Sequence, residues 1–163
     1  MSDPAISFHC RDADHQRCID TALAHAEDLC RNTHQRLTAI RRRVLELVWR
    51  RHKPIGAYEI LDLLQQDGRT APPTVYRALD FLQQLGLVHR IASLNAYVGC
   101  SLPGEEAHDG HFLICESCRA LAELDLPEVT LAIERQADDS GFEVRRHTIE
   151  ILGLCPACRK EGA

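Results

Sequence analysis

Eight cysteines and nine histidines are distributed over 163 residues, and their spacing sorts them into groups with different chemistry. Cys115-x-x-Cys118 and Cys155-x-x-Cys158 are separated by 36 residues. Each pair forms a turn that offers two thiolates to one metal, and two such turns complete a tetrahedral all-sulfur shell. A shell with no open position describes a structural zinc site rather than a catalytic one. A dithiol redox motif is the alternative, but neither pair has the βαβ context of a thioredoxin-like site. A metal here would pin the end of the chain back onto the strand that contains Cys115.

His89, Cys100, His108 and Glu123 form a second candidate set. One thiolate, two imidazoles and a carboxylate suit tetrahedral Zn²⁺, whereas a set of oxygen and nitrogen alone suits Fe²⁺ or Mn²⁺ better. Spacing alone leaves this set open, because a strand histidine is as readily a core residue and Glu123 by itself is unremarkable. What singles the four out is placement on a hairpin, a linker and a following strand, so that one metal would tie two parts of the chain together. A further site near the N-terminus would draw on His9, His15, Cys18, His25 and Cys30. Cys18 and Cys30 lie beside an apolar stripe, however, and are expected to be small buried side chains. No role is assigned to Cys10.

The elements that position these residues follow from periodicity. Residues 1–15 are polar and are expected to form a flexible segment. Ile19, Leu23, Ala26 and Leu29 recur at helical spacing from about Asp14 to Arg31. Thr38 suits the N-cap of TAIRRRVLELVWRR, whose face is Ile40, Val44, Leu47 and Val48, and Lys53-Pro54 closes it. AYEILDLLQQ (57–66) is the next amphipathic helix, closed by Asp67-Gly68. Pro72-Pro73 opens a helix with Val75, Leu79 and Leu82 inward, and Gly86 caps its end. LVHRIA and AYVGC alternate as two strands about a Ser93–Asn95 turn. The last three of these helices and the hairpin, in this order, predict a winged helix-turn-helix domain over 16–100, in which the helix from Pro73 to Leu85 enters a major groove. Thr74, Tyr76 and Arg77 stand near its N-terminal end. Arg77 could read guanine or hold phosphate, and Tyr76 could meet a thymine methyl or a phosphate; half-buried packing and a plain surface charge are the alternatives.

The charge distribution favours a polyanion. The net charge is −5, yet residues 31–100 hold eleven Lys/Arg against five acids, and a basic segment attracts nucleic acid locally whatever the total. After a 101–108 linker, HFLIC, ALAELDL and FEVRRHTIEILGL read as strands, and Leu126–Asp138 as a helix that ends near Gly141. The fold class is therefore α+β: a winged-helix domain and a small C-terminal α/β dimerisation domain over 109–163. The second domain has little core, and pairing with a second copy would cover a sheet edge. No segment is apolar for long enough to span a bilayer, and the start lacks the basic-then-apolar pattern of a secretory signal. The expected location is the cytoplasm.

TAIRRRVLELV, APPTVYRALDFLQQLGLVHRI, HFLICESC and RRHTIEILGLCPAC together resemble the ferric-uptake-regulator (Fur) superfamily of bacterial metalloregulators, and within it the zinc uptake regulator (Zur) branch. The resemblance spans roughly residues 17–159. It implies a homodimeric zinc-dependent repressor of zinc-uptake genes on a palindromic DNA operator, with two zinc ions per subunit. One would be structural, at Cys115, Cys118, Cys155 and Cys158, and one regulatory, at His89, Cys100, His108 and Glu123. The DNA-reading Tyr-Arg pair falls on Tyr76 and Arg77, and a basic residue near the minor groove falls on Arg36. A third, variable metal site would fall on Asp109, His111 and His147, with a structural or surface role as the alternative. The branch's Thr-Pro is Thr38-Ala39 here. An iron- or peroxide-sensing relative is the sibling reading, disfavoured by the Cys100 sulfur. A structural zinc module for protein partners is the reading from another class. An enzyme is not expected, since a zinc hydrolase needs an open coordination position and a positioned base, and no small-molecule substrate is implied.

Overall fold

The computed structural model describes residues 15–50, 53–101 and 110–161. The elements before residue 102 form one compact unit and those after residue 109 another. The architecture is α+β, as the pattern predicts.

Four helices build the first unit: α1 (His15–Asn32), α2 (Ala39–Trp49), α3 (Ala57–Asp67) and α4 (Pro72–Gln84). Their apolar positions fall three and four apart, so each helix turns one stripe inward. Ile19, Leu23 and Ala26 of α1, Val44, Leu47 and Val48 of α2, Ile60 and Leu64 of α3, and Val75, Leu79 and Leu82 of α4 merge into a single core. Leu79 is wholly buried, so its truncation to Ala would cost about 2–5 kcal/mol.

The helix ends follow the expected chemistry with two corrections. Thr38 is the N-cap of α2, but its hydroxyl makes no capping bond; its carbonyl accepts the Arg42 N–H at 2.9 Å. Helix α2 also ends at Trp49, ahead of Lys53-Pro54. Pro72 and Pro73 occupy the first turn of α4, where no backbone donor is needed. Gly86, with φ of 68°, closes α4: its N–H reaches the Gln83 carbonyl, and the Leu87 N–H reaches that of Leu82.

The wing is a sheet of β2 (Val88–Ile91) and β3 (Ala96–Gly99), paired antiparallel with His89 opposite Val98. A third strand, β1 (Ile55–Gly56), joins the other edge of β3. The hairpin expectation lacked it, because two residues are too few to show alternation.

The second unit has the strand order β5-β4-β6. Strand β4 (Gly110–Cys115) pairs antiparallel with β5 (Leu121–Leu124) and parallel with β6 (Thr148–Gly153), with α5 (Pro127–Asp139) between β5 and β6. The strand expected from Phe142 starts only at Thr148. The register explains this: Thr148 already pairs with Gly110, the first residue of β4. A six-residue helix, α6 (Pro156–Glu161), follows Cys155 and was not anticipated. Phe112, Ile114 and Ala122 are buried in this unit, whereas α5 buries none of its residues. Among the described residues no helix is long and apolar enough to cross a membrane.

Candidate metal centres and DNA-binding face

Strand β4 ends at Cys115, and the chain then turns through Cys118, with Arg119 at φ of 59°. The Arg119 N–H bonds the Cys115 carbonyl, and the Cys115 N–H bonds that of Ala120, both at 2.9 Å. The parallel partner β6 delivers Cys155 to the same place, and the first turn of α6 adds Cys158. The four Sγ atoms lie within 4.8 Å of one another, with Cys118 and Cys155 at 3.7 Å. Sulfurs each about 2.3 Å from one tetrahedral ion stand about 3.8 Å apart, so the cluster fits a single zinc.

The electrostatics agree with that fit. Backbone N–H groups of Cys118 and Cys155 pointing at the Cys115 sulfur hold its pKa down at about 6; the Cys155 N–H is 3.4 Å away. For Cys158 a Ser117 hydrogen bond acts downward, but the thiols of Cys155, Cys118 and Cys115 crowd it and push it up to about 12. Four thiolates repel one another at this range, and a divalent cation removes the repulsion. Cys115, Cys118, Cys155 and Cys158, assigned from spacing, are thus brought together.

On the wing, His89 lies on β2, and Cys100 directly follows β3. The Cys100 N–H bonds the Leu87 carbonyl at 3.1 Å, which holds the cysteine beside the neighbouring strand. The Cys100 sulfur is buried and lies within 4.8 Å of a His89 ring nitrogen. A soft thiolate beside an imidazole is half of a zinc shell. Glu123 lies on β5 of the other unit, in register with Phe112. His108 lies outside the described residues.

Of the third set, His111 and His147 do meet. Their Nε2 atoms are 3.4 Å apart, and His147 Nε2 is also 3.5 Å from the Thr130 hydroxyl. His111 is buried, and its Nδ1 has no hydrogen-bond partner among the described residues. Asp109 lies outside those residues. In α1, Cys30 is buried in the core and burial raises its pKa, while Cys18 is only half-buried. Twelve residues of helix separate the two by about 18 Å, too far to share a metal. His9 and Cys10 are outside the described residues.

The residues proposed for DNA contact are all exposed. Thr74, Tyr76 and Arg77 are exposed near the start of α4, on the side opposite Val75, Ala78 and Leu79. Arg36 is exposed on the α1–α2 connection. The three consecutive arginines of α2, in contrast, are engaged within the fold. Arg41 lies 3.4 Å above the Phe81 ring and donates to the Arg36 carbonyl at 2.6 Å. Arg42 pairs with Glu27 and Glu46. Arg43 binds Asp67 at 2.8 Å and Glu46 at 3.1 Å. Part of the basic charge counted in the sequence therefore supports the domain internally. Arg41 holds the loop of Arg36 against α4, a role unreadable from sequence because Phe81 is forty positions away.

The Gly99–Cys100 step carries a signal that periodicity passed over. Glycine inside a strand marks a close approach by something else, and here the indole of Trp49 lies against Gly99.

Comparison with known proteins bears on the family and the fold. Residues 31–152 match the ferric uptake regulator family. The zinc uptake regulation protein of Escherichia coli (strain K12) is 42% identical over 137 residues, which is 83% of this chain and 80% of that protein. The ferric uptake regulation protein of Neisseria gonorrhoeae is 23% identical over 78% of this chain and 88% of its own length. A solved zinc uptake regulator in complex with zinc and DNA superposes with a TM-score of 0.84 at 39% identity, covering 88% of this chain and 97% of the other. A holo form of XcZur gives 0.81 at 40% identity, covering 86% and 99%. With the four-thiol cluster, the winged helix and the matched region in agreement, the chain belongs to the ferric uptake regulator family.

Proposed function

We propose that this protein is a zinc-responsive transcriptional repressor that binds a palindromic DNA operator as a homodimer and controls genes of zinc uptake from the cytoplasm. The observation that carries the zinc assignment is the Cys100 thiol beside the His89 imidazole on the wing. A sulfur ligand favours Zn²⁺ over the iron of a sibling sensor, and the 42% identity to a zinc uptake regulation protein supports the same choice.

Two zinc ions per subunit are assigned. Cys115, Cys118, Cys155 and Cys158 would hold a structural ion, and Asp109, His111 and His147 are reserved for a variable third site. His89, Cys100, His108 and Glu123 would hold the regulatory ion, which when bound supplies one rigid link between wing, linker and β5. The 101–108 segment is the hinge in this reading. The protein's own residues do the rest. Tyr76 and Arg77 present an aromatic ring and a guanidinium to base edges and phosphates, with Thr74 beside them at the same end of α4 and Arg36 near the minor groove. Ligation narrows the orientations of the two DNA-reading heads, so metal and operator raise each other's affinity by the same factor. The chain acts by binding, not catalysis.

The second copy has a surface to cover. Leu131, Phe142, Ile151, Leu152 and Leu154 are 45–65% exposed, and Val129, Ala132, Ile133 and Ala137 line an apolar groove on α5 beside Phe142. Pairing of two such faces would bury them.

An electrophoretic mobility shift on an AT-rich palindromic operator, with zinc, iron or chelator, tests the proposal. Retardation is expected with zinc and lost with chelator. Retardation by iron alone, or independent of metal, would contradict it.

A further inference from the structure

The chain has a single tryptophan, and it is the last residue of α2. Its half-buried indole packs against the core of the first unit. A Cβ placed on Gly99 would lie 2.3 Å from Trp49 Cε2, 2.4 Å from Nε1 and 2.8 Å from Cδ2. Carbon atoms in contact sit about 3.5–4.0 Å apart, so any side chain at this position would drive the ring or the strand away by more than about 1 Å. The ring is therefore seated on bare backbone at the end of β3, one residue before Cys100. Cys100 is held on its other flank by the hydrogen bond from its N–H to Leu87. Metal shells tolerate ligand displacements of only about 0.5 Å, and the interval between Gly99 and Cys100 is one peptide unit.

We infer that Trp49 is a positioning residue for the regulatory metal: its indole, seated on Gly99, sets where the Cys100 sulfur stands relative to His89. This deepens the reading of Cys100 as a zinc ligand and rests on it. Trp49 touches no metal itself in this account. It acts through one backbone step, as outer-shell groups do when they fix a ligand's aim.

The test measures binding of the second equivalent of Zn²⁺ per subunit by competition with a chromophoric chelator, with the four-cysteine site already filled. Thiolate-to-Co²⁺ charge-transfer absorption at the second site is the spectroscopic companion. Gly99→Ala is expected to weaken that binding by about 10- to 100-fold and to displace the cobalt band. The first equivalent should stay bound. Gly99→Ala/Trp49→Leu should lose less than the two single losses combined, because both substitutions act through one contact. Should Gly99→Ala not fold, Trp49→Leu reads the same contact from the other side, and it too should weaken the second site and shift its band. Wild-type affinity and spectrum in Gly99→Ala, or in Trp49→Leu where that serves as the test, would overturn the inference. A double variant whose loss is the full sum of the two single losses would also overturn it, because the two would then not pass through one contact. Cys100→Ser separates the two levels. If it loses the second zinc while Gly99→Ala keeps it, only the positioning role falls; if it keeps the second zinc, the ligand reading falls and the positioning role with it.

Discussion

Cys115, Cys118, Cys155 and Cys158 close on one another within a single unit, joined by β4, β6 and the start of α6. His89 and Cys100 meet on the wing and would supply only half of a shell, and their proposed partners, His108 and Glu123, lie further along the chain. The difference is functional as well as geometric. A shell complete within one unit can stabilise that unit and do little else. A shell distributed over several segments can exist only when those segments are brought together, so occupancy becomes information about arrangement. Both sets contain sulfur, yet in the proposed reading only the distributed one transmits a signal.

The comparison breaks most visibly at the closed site. Structural zinc supplies on the order of 10–16 kcal/mol to small zinc domains, more than a typical domain's net stability. Cys118→Ser should therefore abolish cooperative unfolding of the second unit and the dimer mass, as read by calorimetry and light scattering; a variant that melts and sediments like wild type would show that the cluster is no staple. The effect at the distributed site is smaller and of another kind. Cys100→Ser should keep the fold and the dimer but remove the zinc dependence of operator affinity, a coupling of about 5- to 150-fold.

Two further substitutions compare the α4 surface with the arginines of α2. Arg77→Ala should cost about 1–3 kcal/mol of operator binding and relax preference at one base position, measured against an operator mutant series. Arg42→Ala should leave the salt dependence of DNA binding unchanged and cost only about 0–1 kcal/mol of thermal stability, because its guanidinium serves Glu27 and Glu46. A salt slope lowered by about one in Arg42→Ala would mean that it neutralises a phosphate after all.

What was legible in the sequence was local or repeated. The two C-x-x-C turns, the helical stripes of α1 to α4, Pro72-Pro73 and Gly86 each declare themselves within a few residues, and the winged-helix order follows from them. What was not legible depended on partners distant in sequence. Strand β1 is two residues that pair only because β3 is beside them. The late start of β6 is set by where β4 begins, not by the apolar pattern of 142–147. The arginines of α2 counted toward the basic segment because their partners Glu27, Asp67 and Phe81 are 15, 24 and 40 positions from Arg42, Arg43 and Arg41. The seat of Trp49 on Gly99 spans fifty positions and was signalled only by a glycine in a strand.

The most direct test of a distributed regulatory site is a pair of operator-binding isotherms, wild type and Cys100→Ser, each taken with the four-cysteine site filled and free zinc varied. Zinc should tighten operator binding by wild type and leave the affinity of the variant unchanged. An equal response in both proteins would contradict the account.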